Sequence, residues 1–241
     1  MLDALRLAVG LLTAVPVGPP RQVDRRRAGL AMVCAPAVGL LLGSAAALVM
    51  LGSRSAGHPA LVSSVLAVAV LAALTRGLHL DGLADTADGL GVRRPAAESL
   101  TVMRTGDIGP FGVVTLVLVL LLQVTAAAAA GPLALLVAVT VSRAAVTVAC
   151  RRGVPAARPE GLGALVASSV HPVAAGAVSL LVLAGATVEG WRGPAAAVAA
   201  LVVAEVLVRH CVRRLGGLTG DVLGAVAEVA ATVALLVLAT G

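Results

Sequence analysis

Asp81, Asp85 and Asp88 place three carboxylates within eight residues of a chain that otherwise avoids charge. At helical spacing, Asp85 and Asp88 fall only about 40° and 20° from Asp81, on one face. Three anions stacked in that way call for a cation. Hard oxygen donors interleaved with Gly82, Ala84 and Gly89 suit Mg²⁺ or Mn²⁺, which prefer carboxylate, water and phosphate oxygen to sulfur. A merely solvated acidic loop has no reason to keep helical spacing or to follow directly from an apolar run. His79 precedes Asp81 by two residues and points elsewhere on such a helix. It is read either as a general base or as a histidine bonding a loop carbonyl.

Other polar segments are Gly-rich turns with isolated charges: MRTGDIG at 103–109, RPEGLG at 158–163 and GGLTGD at 216–221. Together they bring Arg104, Asp107, Arg158, Glu160 and Asp221 to the ends of apolar runs. That arrangement assembles a phosphate-plus-metal site from charges and backbone amides. The expected metal ligands are Asp81, Asp85, Asp88 and Asp221. Arg104, Arg158 and Glu160 are expected to contact substrate. Arg143 lies inside an apolar run, about 12 Å from its end, and Glu228 follows Asp221 by two turns on the same face. Ionisable groups at that depth pair or face the bundle interior. Two readings stand, an Arg143–Glu228 ion pair and a guanidinium clasp on substrate phosphate, and the second is the expectation carried forward. Glu205 has a similar depth and no visible role. The chain has no lysine, which excludes a Walker A loop and a Schiff-base cofactor. No serine or cysteine stands beside a histidine base, which argues against a covalent enzyme intermediate.

The elements that must position these groups are transmembrane helices. The composition is 59% hydrophobic and 12% charged, with mean hydropathy +1.04. Apolar runs at 29–51, 59–75, 110–130, 132–150, 172–188, 194–208 and 222–240 approach the roughly 20 residues that cross a bilayer. The sixth is short and borrows residues up to 212. The predicted fold is an all-α, polytopic membrane bundle of about seven spans, forming a single domain over residues 1–241. Fourteen of the 18 arginines precede the first run or fall after the second, fourth and sixth: Arg21, Arg25, Arg26, Arg27, Arg76, Arg93, Arg94, Arg104, Arg151, Arg152, Arg158, Arg209, Arg213 and Arg214. The alternate loops hold only Arg54 and Arg192. The positive-inside rule makes the Arg-rich side, with every candidate site segment, cytoplasmic.

Net charge +6 with one Phe, one Trp and no Tyr gives no platform for stacking bases, so nucleic acid is not an expected partner. The arginines are read as topology signals with affinity for a phosphorylated substrate. Cys34, Cys150 and Cys211 are read as packing residues without disulfide or zinc. Residues 1–15 are read as an interfacial amphipathic helix and not as a signal peptide. Gly39 and Gly43 match a small-xxx-small packing pattern, but with 27 glycines in the chain a chance match is the expectation.

The stretches GLHLDGLADTADGL at 77–90, ARPEGLG at 157–163 and GGLTGDVLGA at 216–225, with Glu228 following, resemble the cobalamin synthase (adenosylcobinamide-GDP ribazoletransferase) family. LLTAVPV at 11–17 is similar to the family's opening segment. The matches run in order from end to end. Where many members carry M-[KR]-D-S-R-I-G, this chain reads MRTGDIG, with Asp107 two positions later than the family's aspartate. The resemblance implies a multi-pass enzyme of the bacterial cytoplasmic membrane with its site on the cytoplasmic face. It also implies dependence on Mg²⁺ or Mn²⁺, joining of adenosylcobinamide-GDP to α-ribazole or its 5′-phosphate, and release of GMP. The lipid bilayer is then an obligatory partner, and an oligomer is compatible with the sequence. The spacing of the acids also resembles the CDP-alcohol phosphotransferases, although the second D-x-x-x-D signature of that family is absent after Gly91. A cation-coupled transporter is the reading from another class. Against it, the acids cluster at one face and no inverted repeat is visible.

Overall fold

Hydrophobic runs with no internal partner for their backbone groups must form helices in a bilayer, and the computed structural model, which describes residues 2–18 and 22–240, is helical throughout, with no strand among the described residues. The elements are α1 (Leu2–Leu12), α2 (Arg25–Val33), α3 (Ala35–Ser55), α4 (Ala60–Leu74), α5 (Leu78–Gly91), α6 (Ala96–Val102), α7 (Pro110–Ala130), α8 (Pro132–Ala149), α9 (Leu162–Val166), α10 (Pro172–Ala186), α11 (Arg192–Leu215) and α12 (Gly220–Leu238). A 3₁₀ turn, Thr187–Glu189, links α10 to α11.

The seven apolar runs correspond to α3, α4, α7, α8, α10, α11 and α12. Among the described residues six helical segments are long and apolar enough to cross a membrane, the fourth being α10 with its 3₁₀ turn; α4 is shorter and continues into α5 through an 87° bend. Two boundaries differ from the sequence reading. The first run does not start a span at residue 29: α2 ends at Val33, and α3 begins anew with Pro36 in its first turn, where a missing N–H costs nothing. The sixth is not short, because α11 extends for 24 residues to Leu215 and carries its last arginines on the helix itself. The expected N-terminal amphipathic helix is α1, whose buried residues Ala4, Leu7, Ala8 and Leu12 recur at helical spacing. Met1 and Arg21, also used in the sequence reading, lie outside the described residues.

α8 and α12 form the centre, buried over most of their length, while α7 and α10 are largely outward-facing. The centre is built from small residues: Ala134, Ala138, Ala144, Ala145, Ala227 and Ala230 have almost no exposed surface. In lipid, where burial of apolar surface does not separate helix from helix, close backbone approach supplies the packing energy. Gly39 and Gly43 are therefore not a chance match. A Cβ on Gly43 would lie 2.9 Å from the Leu136 carbonyl oxygen, and one on Gly39 would lie 2.8 Å from Cγ of Arg143. Both glycines seat α3 directly on α8. All three cysteines are free, with Cys150 and Cys211 buried as packing residues.

Because the obstacle at both glycines includes backbone, Gly39→Val and Gly43→Leu are each expected to destabilise the bundle by about 1–3 kcal/mol. Thermal unfolding in detergent micelles reads this as a lowered Tm, and an unchanged Tm would contradict the α3–α8 contact.

Candidate active site

The bend after α4 is made by Arg76 and Gly77, with φ of +52° and +67°, and it turns α5 across the first turn of α12. Their backbones nearly touch: a Cβ on Gly82 would lie 2.7 Å from the carbonyl oxygen and 2.8 Å from Cα of Asp221. One on Gly224 would lie 3.0 Å from the His79 carbonyl oxygen. The small residues among the aspartates thus serve a helix crossing, and the crossing carries Asp81 and Asp85 to Asp221. α12 opens on Thr219, whose hydroxyl accepts the Val222 N–H and donates to Oδ2 of Asp221, both at 3.1 Å. The 216–221 segment is held by the loop after α8. Ala157 N–H donates to the Leu218 carbonyl at 2.9 Å, and Leu218 N–H donates to that of Pro155 at 2.9 Å.

The three aspartates of α5 have the helical spacing read from sequence, but they do not share one task. Asp88 is buried, with its two oxygens accepting the N–H groups of Gly109 and Gly112 at 2.8 and 2.9 Å. It caps the start of α7, where a carboxylate satisfies two otherwise unpaired donors and complements the helix dipole. A Cβ on either glycine would come within 2.4 Å of a carboxylate oxygen. Asp81 is exposed and Asp85 half-buried. The Asp85 carboxyl is pushed up to about 6, first by burial and then by the facing carboxylates of Asp81, Asp221 and Asp88, while Arg158 pulls it down. The expected set of four ligands therefore separates into Asp81, Asp85 and Asp221 on one side and Asp88 on the other. Among the described residues, no three His, Cys, Asp or Glu side chains are grouped so as to hold a metal ion by themselves. Asp107 is exposed on its turn.

Arg158 stands over this acidic group. Burial and the neighbouring Arg104 weigh against its charge, while Asp221, Glu160 and Asp85 support it. Its guanidinium donates to the Leu100 carbonyl at 2.6 Å, which fixes the 157–163 loop against α6. Arg104 and Glu160 face each other at 3.6 Å, both well exposed. These two residues and Arg158 border a cavity of about 250 Å³ between α6 and the loop.

His79 is buried and borders a second cavity, of about 200 Å³, together with Asp81 and Asp221. Its Nδ1 lies 3.4 Å from Nη2 of Arg143. A guanidinium only donates, so Nδ1 is the acceptor and the ring proton resides on Nε2. Burial and the Arg143 charge both hold the imidazole neutral. Arg143 is 4% exposed, donates to Ser142 Oγ at 2.8 Å and meets the acidic group only through His79. The sequence reading of Arg143 as a clasp on substrate phosphate does not match this placement. It is not within ion-pair distance of Glu228 either. Glu228 instead accepts from Gln123 Nε2 at 2.8 Å, and a small cavity of about 30 Å³ is bordered by both Arg143 and Glu228.

Sequence reasoning also missed what several arginines do. Arg25 donates to the Ala164 and Ala167 carbonyls at the end of α9, and Arg214 donates to that of Val92 just past α5. Each places a cation at a helix C-terminus, where the dipole favours it. Glu205 gains a role, because it binds Arg151 at 2.8 Å and Arg209 at 2.6 Å. Only the Glu205–Arg209 i,i+4 spacing was visible beforehand.

The family model described as cobalamin-5-phosphate synthase matches residues 4–239. A Nocardioides protein named adenosylcobinamide-GDP ribazoletransferase is 46% identical over 98% of both chains. A Frankia casuarinae protein of the same name is 44% identical over 99% of this chain and 95% of its own length. Another from Bradyrhizobium diazoefficiens is 39% identical over 98% of this chain and 92% of its own. No solved structure matches.

The two kinds of aspartate are expected to respond oppositely in EDTA. A carboxyl whose folded value is raised opposes folding fully above about pH 6, and this opposition fades as the pH falls toward its ordinary 3.8. Asp85→Asn should therefore raise Tm at pH 7.5, with the gain shrinking toward pH 4. Asp88→Ala should lower Tm at every pH, because it strands the half-buried Gly109 N–H and the buried Gly112 N–H, the latter alone costing about 1–3 kcal/mol. The same sign of shift for both variants would refute the division.

Proposed function

The chain belongs to the cobalamin-5-phosphate synthase family, and on that premise we propose that it joins adenosylcobinamide-GDP to α-ribazole, or its 5′-phosphate, with release of GMP. The observation that carries the reading is the meeting of Asp81, Asp85 and Asp221 under Arg158 at one face of a membrane bundle. In the reaction a hydroxyl oxygen of the ribazole bonds to the phosphorus on the corrinoid side. The bond from that phosphorus to the oxygen retained by GMP breaks, and the hydroxyl proton is released.

A pyrophosphate brought beside three carboxylates needs positive charge. Mg²⁺ or Mn²⁺ held by one or two of Asp81, Asp85 and Asp221 together with substrate phosphate would neutralise the pyrophosphate and stabilise the departing GMP. The donor set fits such an ion: all donors are hard oxygens, and Mg²⁺ is commonly held by one or two carboxylates with water and substrate phosphate instead of a full protein cage. Arg158 and Arg104 supply fixed cations on the side where nucleotide phosphates would lie. Asp88 holds α7 in place and so keeps the 103–109 turn against the site. His79 offers an Nε2 proton toward bound oxygen and is not a base in this arrangement. The arginine asymmetry supports a cytoplasmic orientation for this face, in the membrane of a bacterial cell.

Membranes containing the protein should release GMP from adenosylcobinamide-GDP when α-ribazole is supplied, and EDTA should stop this until Mg²⁺ is restored. Asp81→Asn and Asp85→Asn are expected to lose at least about 100-fold in kcat while inserting normally, as removal of a charge acting in the transition state does. Turnover that ignores EDTA would remove the metal from the mechanism. For orientation, reporter fusions at Gly57, Gly131 and Gly190 should read outside, and those at Arg94, Gly153 and Gly216 inside.

A further inference from the structure

One cavity borders the arginines of the site and another borders two of its aspartates, and their walls differ in kind. The one between α6 and the 157–160 loop presents Arg104 and Arg158. The other lies beneath α1, with Leu11, Leu12, Met32, Val146, Leu162 and Leu223 among its walls and no arginine. Its polar groups, His79, Asp81 and Asp221, belong to α5 and the first turn of α12. Apolar walls with a few convergent polar groups are the usual make-up of a small-molecule site.

We propose that the cavity beneath α1 binds the acceptor nucleoside, with the apolar bicyclic base against the leucines and the ribose hydroxyls toward Asp81, Asp221 and His79. This assignment rests on the ribazole-transfer reading and adds to it a place for one substrate. A pyrophosphate or guanosine nucleotide in the same cavity would bring negative charge against Asp81 and Asp221 with no arginine in the wall to offset it. A neutral aromatic base meets no such penalty and gains by burial, and a 5′-phosphate, where the acceptor carries one, has to point out of the cavity, away from Asp81 and Asp221. At about 200 Å³ the cavity takes a bicyclic base and excludes a corrin macrocycle. The anionic nucleotide is left to the cavity bearing Arg104 and Arg158, whose cations match its phosphates, so each substrate has a cavity of its own kind.

The inference also explains a part of the chain that the metal chemistry leaves idle. Residues 11–17 belong to the segment resembling the family's opening stretch, and Leu11 and Leu12 are the roof of this cavity. α1 ends there because the Thr13 hydroxyl donates back to the Val9 carbonyl at 2.8 Å and accepts the Val15 N–H at 3.1 Å. The Ala14 N–H then pins the segment after α1 to the Leu74 carbonyl at the end of α4. The roof is thereby tied to the helix that leads into the aspartates.

The test fills the cavity from its half-buried rim. Leu11→Trp and Leu162→Trp are expected to raise KM for α-ribazole about tenfold or more, the fold-change of one lost apolar contact of about 1.4 kcal/mol. KM for adenosylcobinamide-GDP should stay within about twofold. Titration of purified protein with α-ribazole alone, read by the ligand's own fluorescence, should show the same loss of affinity. Should neither filled variant fold, Leu162→Ala removes the contact without crowding and is expected to raise the same KM. An unchanged α-ribazole KM in a folded variant, or a rise confined to the corrinoid substrate, overturns the assignment. Absence of GMP release by the unmodified protein would instead overturn the ribazole-transfer reading itself.

Discussion

The functional face depends on one backbone contact, the crossing of α5 over the first turn of α12, where Gly82 lies against Asp221. Helices approach so closely only where side chains are missing, and the missing side chains are those of Gly82 and Gly224. Without the crossing, Asp81 and Asp85 would sit at the end of one helix and Asp221 at the start of another, with no shared site. The crossing in turn requires the 87° turn after α4, because a straight continuation would carry the aspartates out of the bundle. The left-handed backbone at Arg76 and Gly77 makes that turn. Arg76 is not a residue for which this conformation is easy, so the surrounding packing must hold it there.

Charge in this molecule is sparse and is used in two ways. Acids are gathered until they repel one another, as the raised Asp85 carboxyl shows. Crowding like charges in this way works against folding. It is the usual trade of stability for a prepared site. Asp88 belongs to the other use, in which charged side chains complete helix ends. It serves the start of α7, as Arg25, Arg158 and Arg214 serve the ends or flanks of α9, α6 and α5. Helices that stop at the membrane face leave unpaired donors and acceptors in one shallow layer, and these contacts pair several of them. Some of the arginines that read as topology signals in the sequence also hold the loops together.

Arg143 shows how a buried charge can act at a distance. Its guanidinium does not reach the acidic group, but it decides which nitrogen of His79 carries the proton. With Nδ1 accepting from the guanidinium, the imidazole keeps its proton on Nε2 beside the cavity under α1. The sequence could offer only phosphate or Glu228 as partners for Arg143, because nothing in linear order links it to a histidine 64 residues away.

Much of the architecture was legible from local pattern: the apolar runs that became seven helices, the arginine asymmetry, the amphipathic α1 and the helical spacing of the aspartates. Hydropathy and periodicity are properties of a segment, and in a bilayer each segment must satisfy its own backbone as a helix wherever it packs. The partners of each side chain were not legible. Asp81 and Asp88 share a helical face, yet seven residues carry Asp88 about 10 Å along the axis, far enough to meet α7 instead of α12. The same limit hid the seat of Gly39 and Gly43 on α8, the pairing of Glu205 with Arg151 and the apolar cavity beneath α1. Helical periodicity fixes the direction in which a side chain leaves its own helix. Only the crossing positions and rotations of neighbouring helices, set by packing over the whole bundle, decide what it meets.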